Sequence, residues 1–189
     1  MPESTLTKKA ITKSLKKLTK EKPFDKIVIS EIADGCGINR QTFYYHFKDK
    51  YALLKWIYTT EYIEPYMKDV TFFNWDICIL NILAQLKKDK EFCINTIKHA
   101  NVFLITFFIE VAEGLFEDAI NILDERNVVD NKTRKFFARF FAYGVCGMIT
   151  EWVLGGMIEE PETISKNLKL LLDSSEKAAY QKMSNELNP

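Results

Sequence analysis

Apolar residues recur at helical intervals along almost the whole of this chain, and nowhere do they alternate as a strand requires. Leu6, Ala10, Ile11, Leu15 and Leu18 form one stripe, with Lys8, Lys9, Lys13, Lys16, Lys17 and Lys20 on the remaining faces. Ser4 or Thr5 can cap this first helix. Pro23 disfavours a helical Lys22, so the helix should end near Lys20 or Glu21 and leave Phe24 and Ile27 as the apolar contacts of a connector. A second, short helix is predicted to start between Val28 and Ser30 and to bury Ile29, Ile32, Ala33 and Cys36. Gly35 and Gly37 break it, with Gly37 the better candidate for a positive φ. Asn39 can cap a third helix over 40–47, in which Phe43 and Phe47 share a face, and Asp49 a fourth carrying Leu53, Leu54, Trp56, Ile57 and Tyr58. Beyond Pro65 the spacing predicts helices over 74–88, 90–99, 102–123, 132–154 and 161–183, with breaks at 69–73, 88–90, 127–131 and 155–160. The pattern is all-α, with about nine helices.

Composition narrows the class. The 189 residues are 47% apolar and 13% aromatic, enough to bury a substantial core and too apolar for a disordered chain. Lysine plus arginine equals aspartate plus glutamate, at 26 each, but the charges are unevenly placed. Residues 1–60 carry twelve basic and six acidic residues, and 61–189 carry fourteen and twenty. A basic head on an acidic body suits nucleic-acid binding by the head, although a lysine-rich solvated face gives the same count. Cys36, Cys78, Cys93 and Cys146 are widely separated, and His46 and His99 are the only histidines, which points to reduced core thiols and no metal site. No nucleophile elbow, phosphate loop or zinc-protease helix is present, so the sequence supports no enzyme and no cofactor. The polar amino terminus and short apolar runs, 102–109 and 140–149, lead us to expect a cytoplasmic protein with no membrane partner.

The segment 35–50, GCGINRQTFYYHFKDK, holds the densest chemistry. If Phe43 and Phe47 anchor the third helix, the opposite surface presents Arg40, Gln41, Tyr44 and Tyr45, flanked by Thr42 and His46. Arginine can grip guanine O6 and N7, and glutamine adenine N6 and N7, and the first turn of a recognition helix is where base edges are met. Arg40, Gln41 and Tyr45 are the candidate base readers, Tyr45 also suiting a phosphate. Thr42, Tyr44, His46, Lys48 and Lys50 are candidate phosphate contacts, which fix register without carrying sequence information.

The pattern I-A-x-x-x-G-I-x-x-x-T-F-Y-x-H-F-K-D-K, from Ile32 to Lys50, resembles the amino-terminal domain of TetR-type regulators. The likeness extends over about 6–62. It implies an all-helical homodimer: a three-helix helix-turn-helix head over 1–50, with its motif at 28–47, on a helical effector-binding and dimerisation body over 51–189. Its partner would be a double-stranded DNA operator, and the expected activity is repression relieved by an effector. The family often has glycine where Gln41 stands, so the first-turn readout should be particular to this chain. A second stretch, Y-G-x-x-G-x-x-x-E-W-x-x-G-G-M-x-x-x-P-E-x-I from Tyr143 to Ile164, resembles the body of a subgroup that includes dihydroxyacetone-kinase regulators. Some of that subgroup are thought to act with a protein co-regulator, so activation or partner-dependent control is the alternative.

Within the body, 136–157 is apolar almost all round a helix and must be covered on more than one side. Ala138, Ala142, Gly144 and Gly147 would allow close helix approach, and with Trp152 they are the expected dimer interface. Trp56, Tyr62, Trp75, His99, Phe103, Phe107, Tyr143 and Cys146 are the candidate lining of an effector pocket. At helical spacing such residues more often form plain core.

Overall fold

The computed structural model describes residues 2–68, 70–71, 74–124 and 129–186, with side chains placed from Ser4 to Ser175 outside the gaps. The expected breaks at 69–73 and 127–131 lie partly outside the described residues. Those residues form nine helices and no strand. They are α1 (Pro2–Glu21), α2 (Ile29–Asp34), α3 (Arg40–His46), α4, α5 (Trp75–Lys88), α6 (Lys90–His99), α7 (Asn101–Leu123), α8 (Asn131–Leu154) and α9 (Pro161–Glu186). Helix α4 runs as an α segment, Lys50–Ile57, a π-helical turn, Tyr58–Ile63, and a last turn, Glu64–Met67.

The head forms because short helices bury one stripe each against a common centre. Ile11 and Leu15 of α1, Ile32 and Ala33 of α2, Phe43 of α3 and Leu53, Leu54 and Ile57 of α4 are all essentially without solvent contact. Full burial of each large side chain contributes about 1.5–3 kcal/mol, enough to hold helices too short to persist alone. Leu6 and Ala10 are exposed, because the first turns of α1 overhang the core. The two glycines after α2 have different jobs. Gly37 has φ +71°, as the turn into α3 requires, whereas a Cβ on Gly35 would collide with Ser14 Oγ. That serine donates to Ile32 O at 2.8 Å and fastens α1 to α2 at their crossing.

The core continues from the head into the body without a break, through Tyr58, Tyr62, Leu83, Phe92, Cys93, Leu104, Trp152 and Leu168. Helices α7 and α8 make an antiparallel hairpin whose outer half has its own small core of Ile109, Ala142 and Cys146. Helix α9 packs on α5, where Ser165 Oγ donates to Asp76 O and Lys169 pairs with the Asp76 carboxylate at 2.8 Å. No single helix among the described residues is long and apolar enough to cross a membrane.

Candidate nucleic-acid interface

Helix α3 owes its direction to Asn39 and Phe43. Asn39 Oδ1 accepts from Thr42 N at 2.8 Å and Thr42 Oγ1 at 3.1 Å, which satisfies a first-turn donor and spends the threonine hydroxyl. Phe43 is fully buried and Phe47 nearly so, their rings 6.0 Å apart. The other face is therefore turned to solvent. Arg40 and Gln41 are exposed, Tyr44 is 54% exposed and Tyr45 83%, while Thr42 and His46 are half-buried at the flanks. Tyr45 stands edge-on to His46 with ring centroids 5.0 Å apart. Arg40 and Tyr44 border an open groove of about 650 Å³ that reaches across Ile29 and Ser30 of α2 to Asp49 and Lys50.

Two lysines expected to act alike are differently placed. Lys48 is exposed in the loop before α4. Lys50 points inward, and its ammonium donates to Phe24 O at 3.0 Å, Asp25 O at 2.8 Å and Ile27 O at 2.8 Å, above the Phe24 ring. A lysine has three N–H groups, so Lys50 reaches a phosphate only by giving up one of these bonds. Burial lowers its pKa, against the pull of the Asp25 carboxylate. Sequence reasoning grouped it with Lys48 because spacing cannot show that the connector's carbonyls curl around its ammonium.

The eight candidate pocket residues are not brought together. Trp56 belongs to the head, edge-on to Phe47 with Lys8 above both rings. Tyr62 donates to Asp89 at 2.6 Å, Trp75 lies under Lys169 at the start of α5, and His99 faces Asp25 at 3.4 Å. Phe103 meets Tyr51, Phe107 packs on Phe108 under Lys55, and Cys146 sits in the outer core. Tyr143 borders an open groove of about 510 Å³ between α7 and α8 that it shares with Ile105, Ile109, Gly147 and Leu154. Trp56, Tyr62 and Phe107 share the main core, Cys146 belongs to the outer one and Tyr143 is exposed, a division that helical spacing could not show.

The expected dimer residues are corrected in the same way. Ala138 and Ala142 are fully buried against α7, and Trp152 is buried with its Nε1 donating to Glu159 O at 3.0 Å, so all three serve the subunit's own core. Gly144 and Gly147 lie on the outward side. Exposed beside them are apolar side chains that the sequence reading did not single out for the interface. Phe136, Phe137, Phe140, Tyr143, Met148 and Leu154 are 40–67% exposed along α8, and Leu170 and Leu171 are exposed on α9. The all-round apolar composition of 136–157 called for cover on more than one side but could not say which residues face the subunit's own core.

Where the helices meet at the head–body junction, charge is held tightly. Lys16 of α1 contacts Glu61 and Asp89 at 2.7 Å each and lies over the rings of Tyr62 and Phe92. Burial opposes its charge, but the two carboxylates outweigh it and raise its pKa. Burial likewise opposes ionised Asp89, and hydrogen bonds from Lys16 and Tyr62 more than offset it, so its pKa is lowered. Burial pushes the Cys93 thiol up to about 12 and the Cys146 thiol up to about 11, so both are protonated, unreactive core groups at neutral pH.

Residues 11–57 match the model of bacterial regulatory proteins of the tetR family, and residues 74–174, just over half of the chain, match that of a transcriptional regulator C-terminal region. The chain is 27% identical over 165 residues to the HTH-type dhaKLM operon transcriptional activator DhaS of Lactococcus lactis subsp. lactis (strain IL1403), covering 82% of this chain and 84% of that one. Among solved structures, the dihydroxyacetone kinase operon activator DhaS superposes with a TM-score of 0.70 at 24% identity, over 92% of this chain and 98% of that one. NalD, the secondary repressor of the MexAB-OprM multidrug efflux pump in Pseudomonas aeruginosa, superposes with a TM-score of 0.58 at 20% identity, over 87% and 93%. At these identities the two superpositions speak for the fold alone.

Proposed function

The chain belongs to the TetR family of bacterial regulatory proteins, which are transcriptional regulators and not enzymes, and on that premise we propose that it works as a homodimer on a pseudo-palindromic operator. The observation that carries this reading is α3: a capped helix, anchored by Phe43, whose free side consists of Arg40, Gln41, Tyr44 and Tyr45. In this reading Arg40 and Gln41 meet base edges, with Tyr45 beside them. Tyr44, His46 and Lys48 hold the phosphates, Thr42 joins them only by giving up its hydroxyl bond to Asn39, and Lys50 sets the shape of the head that presents them. The outward side of α8 is the surface on which a second copy closes. Six large apolar side chains exposed along one side of a helix mark an interaction surface.

The family resemblance suggested a repressor released by an effector, and a second reading is favoured by two observations. The relative matched over most of both chains is an activator, and the candidate effector residues are divided between the main core, the outer core and the surface. We therefore favour an activator, working in the cytoplasm, whose body answers to a protein partner in place of an enclosed small molecule. A dihydroxyacetone-kinase operon is the first target to try.

The test is a fluorescence-anisotropy titration of the dimer against promoter DNA and a scrambled duplex at fixed salt, followed by a promoter–reporter assay with the gene present and deleted. Promoter DNA bound no better than scrambled DNA ends the operator reading. Reporter output that rises on deletion ends the activator reading and restores the repressor.

A further inference from the structure

Asn95, on body helix α6, has its entire amide committed to the head. Its Nδ2 donates to Thr19 O at 2.7 Å and to Lys22 O at 2.9 Å, and its Oδ1 accepts from Phe24 N at 2.8 Å. The sequence accounts for the first of these bonds. Thr19 O stands where a continuing helix would receive the N–H of residue 23, and residue 23 is proline, which has none. The donor comes from a residue 76 positions away.

The same connector is held from its other side by Lys50, the first residue of α4, through Phe24 O, Asp25 O and Ile27 O. Phe24 is the shared piece: its N–H goes to the body, its carbonyl to α4, and its ring is fully buried 5.3 Å from that of Tyr51. Lys50 lies four residues after His46, the end of α3. His99, one turn beyond Asn95, faces Asp25 and adds a second body contact to the connector. A shift of α6 therefore reaches the α3–α4 corner through one residue held at both ends.

We propose that Asn95 is a positioning residue for DNA binding, which transmits the pose of α6 through Phe24 and Lys50 to recognition helix α3. This rests on the reading of α3 as the DNA-facing helix. A residue that merely closed the end of α1 would add stability and nothing else.

The experiment compares the full-length dimer with Asn95→Leu, which keeps the size and removes the three bonds, and with Leu83→Val, a core change on α5 away from the connector. Asn95→Leu should lower operator affinity about tenfold, leave binding to scrambled DNA unchanged because no phosphate-facing charge is altered, and speed amide exchange at Phe24 and along α3 about tenfold. Leu83→Val should lower the melting temperature with none of these effects. The proposal is overturned if Asn95→Leu changes only the melting temperature, if it weakens operator and scrambled DNA alike, or if exchange quickens at Phe24 but not in α3. Amide exchange needs no DNA, so it decides the coupling even if the wild-type dimer does not distinguish operator from scrambled DNA, an outcome that would sink the DNA reading instead.

Discussion

Helices α3 and α8 each bury one side and expose the other, and the chemistry of the exposed side sets what each still needs. The outer face of α3 carries guanidinium, amide and hydroxyl groups, which water satisfies completely, so α3 is stable without DNA and DNA supplies only function. The outer face of α8 carries Phe136, Phe137, Phe140, Tyr143, Met148 and Leu154, which water does not satisfy. That face gains stability only when it is covered. A polar exposed face tells of a ligand that comes and goes, and an apolar one of a partner that stays.

The largest expected effect attacks the buried side of α3. Phe43→Ala removes the ring that fixes the helix, and a cost of about 3–5 kcal/mol is expected from lost transfer energy and the cavity left behind. Urea unfolding should show a midpoint lowered to match, together with loss of operator binding. A change below about 1 kcal/mol would mean that Phe43 is not the anchor the geometry makes it.

On α8 the corresponding change is to the outer side. Phe140→Glu places a charge in the middle of the apolar stripe, and dimer dissociation should ease by about 2–4 kcal/mol, the range of a central interface residue. Sedimentation velocity at micromolar concentration should show monomer for the variant and dimer for the wild type, with far-UV circular dichroism unchanged. Ala138→Glu should instead unfold the α7–α8 hairpin, because Ala138 is fully enclosed within the subunit. If both variants are folded monomers, the two sides of α8 have been assigned the wrong way round.

Arg40→Ala leaves both cores untouched and should cost about 1–3 kcal/mol of operator affinity while relaxing preference at one base pair. A loss equal on operator and scrambled DNA would move Arg40 from the bases to the phosphates.

These contrasts also explain what the sequence could reveal. The caps at Asn39 and Asp49, the positive φ at Gly37 and the burial of Phe43 are dictated within a few residues, so local pattern was enough to find them. Gly35, Lys50 and Asn95 owe their roles to contacts made across 21 to 76 positions, and no local pattern carries that information. On α8 the pattern itself was degenerate. When nearly every position is apolar, periodicity no longer says which side is inside, and two of the small residues expected between subunits, Ala138 and Ala142, went to the α7 contact instead.

The smallest effect concerns the joint between the two regions, where Lys16, Asp89 and Tyr62 meet. Asp89 has its pKa lowered in the folded protein, so its stabilisation is fully present above the ordinary aspartate value of 3.8 and is lost as pH falls through the lower folded value. Lys16 has its pKa raised, so its share is complete below 10.5 and is lost as pH rises past that point toward the folded value. Burial holds Tyr62 protonated throughout, so it remains a donor to Asp89 at neutral pH. Both charged groups keep substantial solvent contact, and screening limits the pair to below about 1 kcal/mol. Asp89→Asn should therefore flatten the fall in melting temperature below pH 3.8 while leaving the plateau near neutrality lowered by only a degree or so, an approximate shift set by the small energy involved. An unchanged acid slope in Asp89→Asn would place the acid-sensitive group elsewhere and reduce the junction to packing among Tyr58, Tyr62 and Phe92.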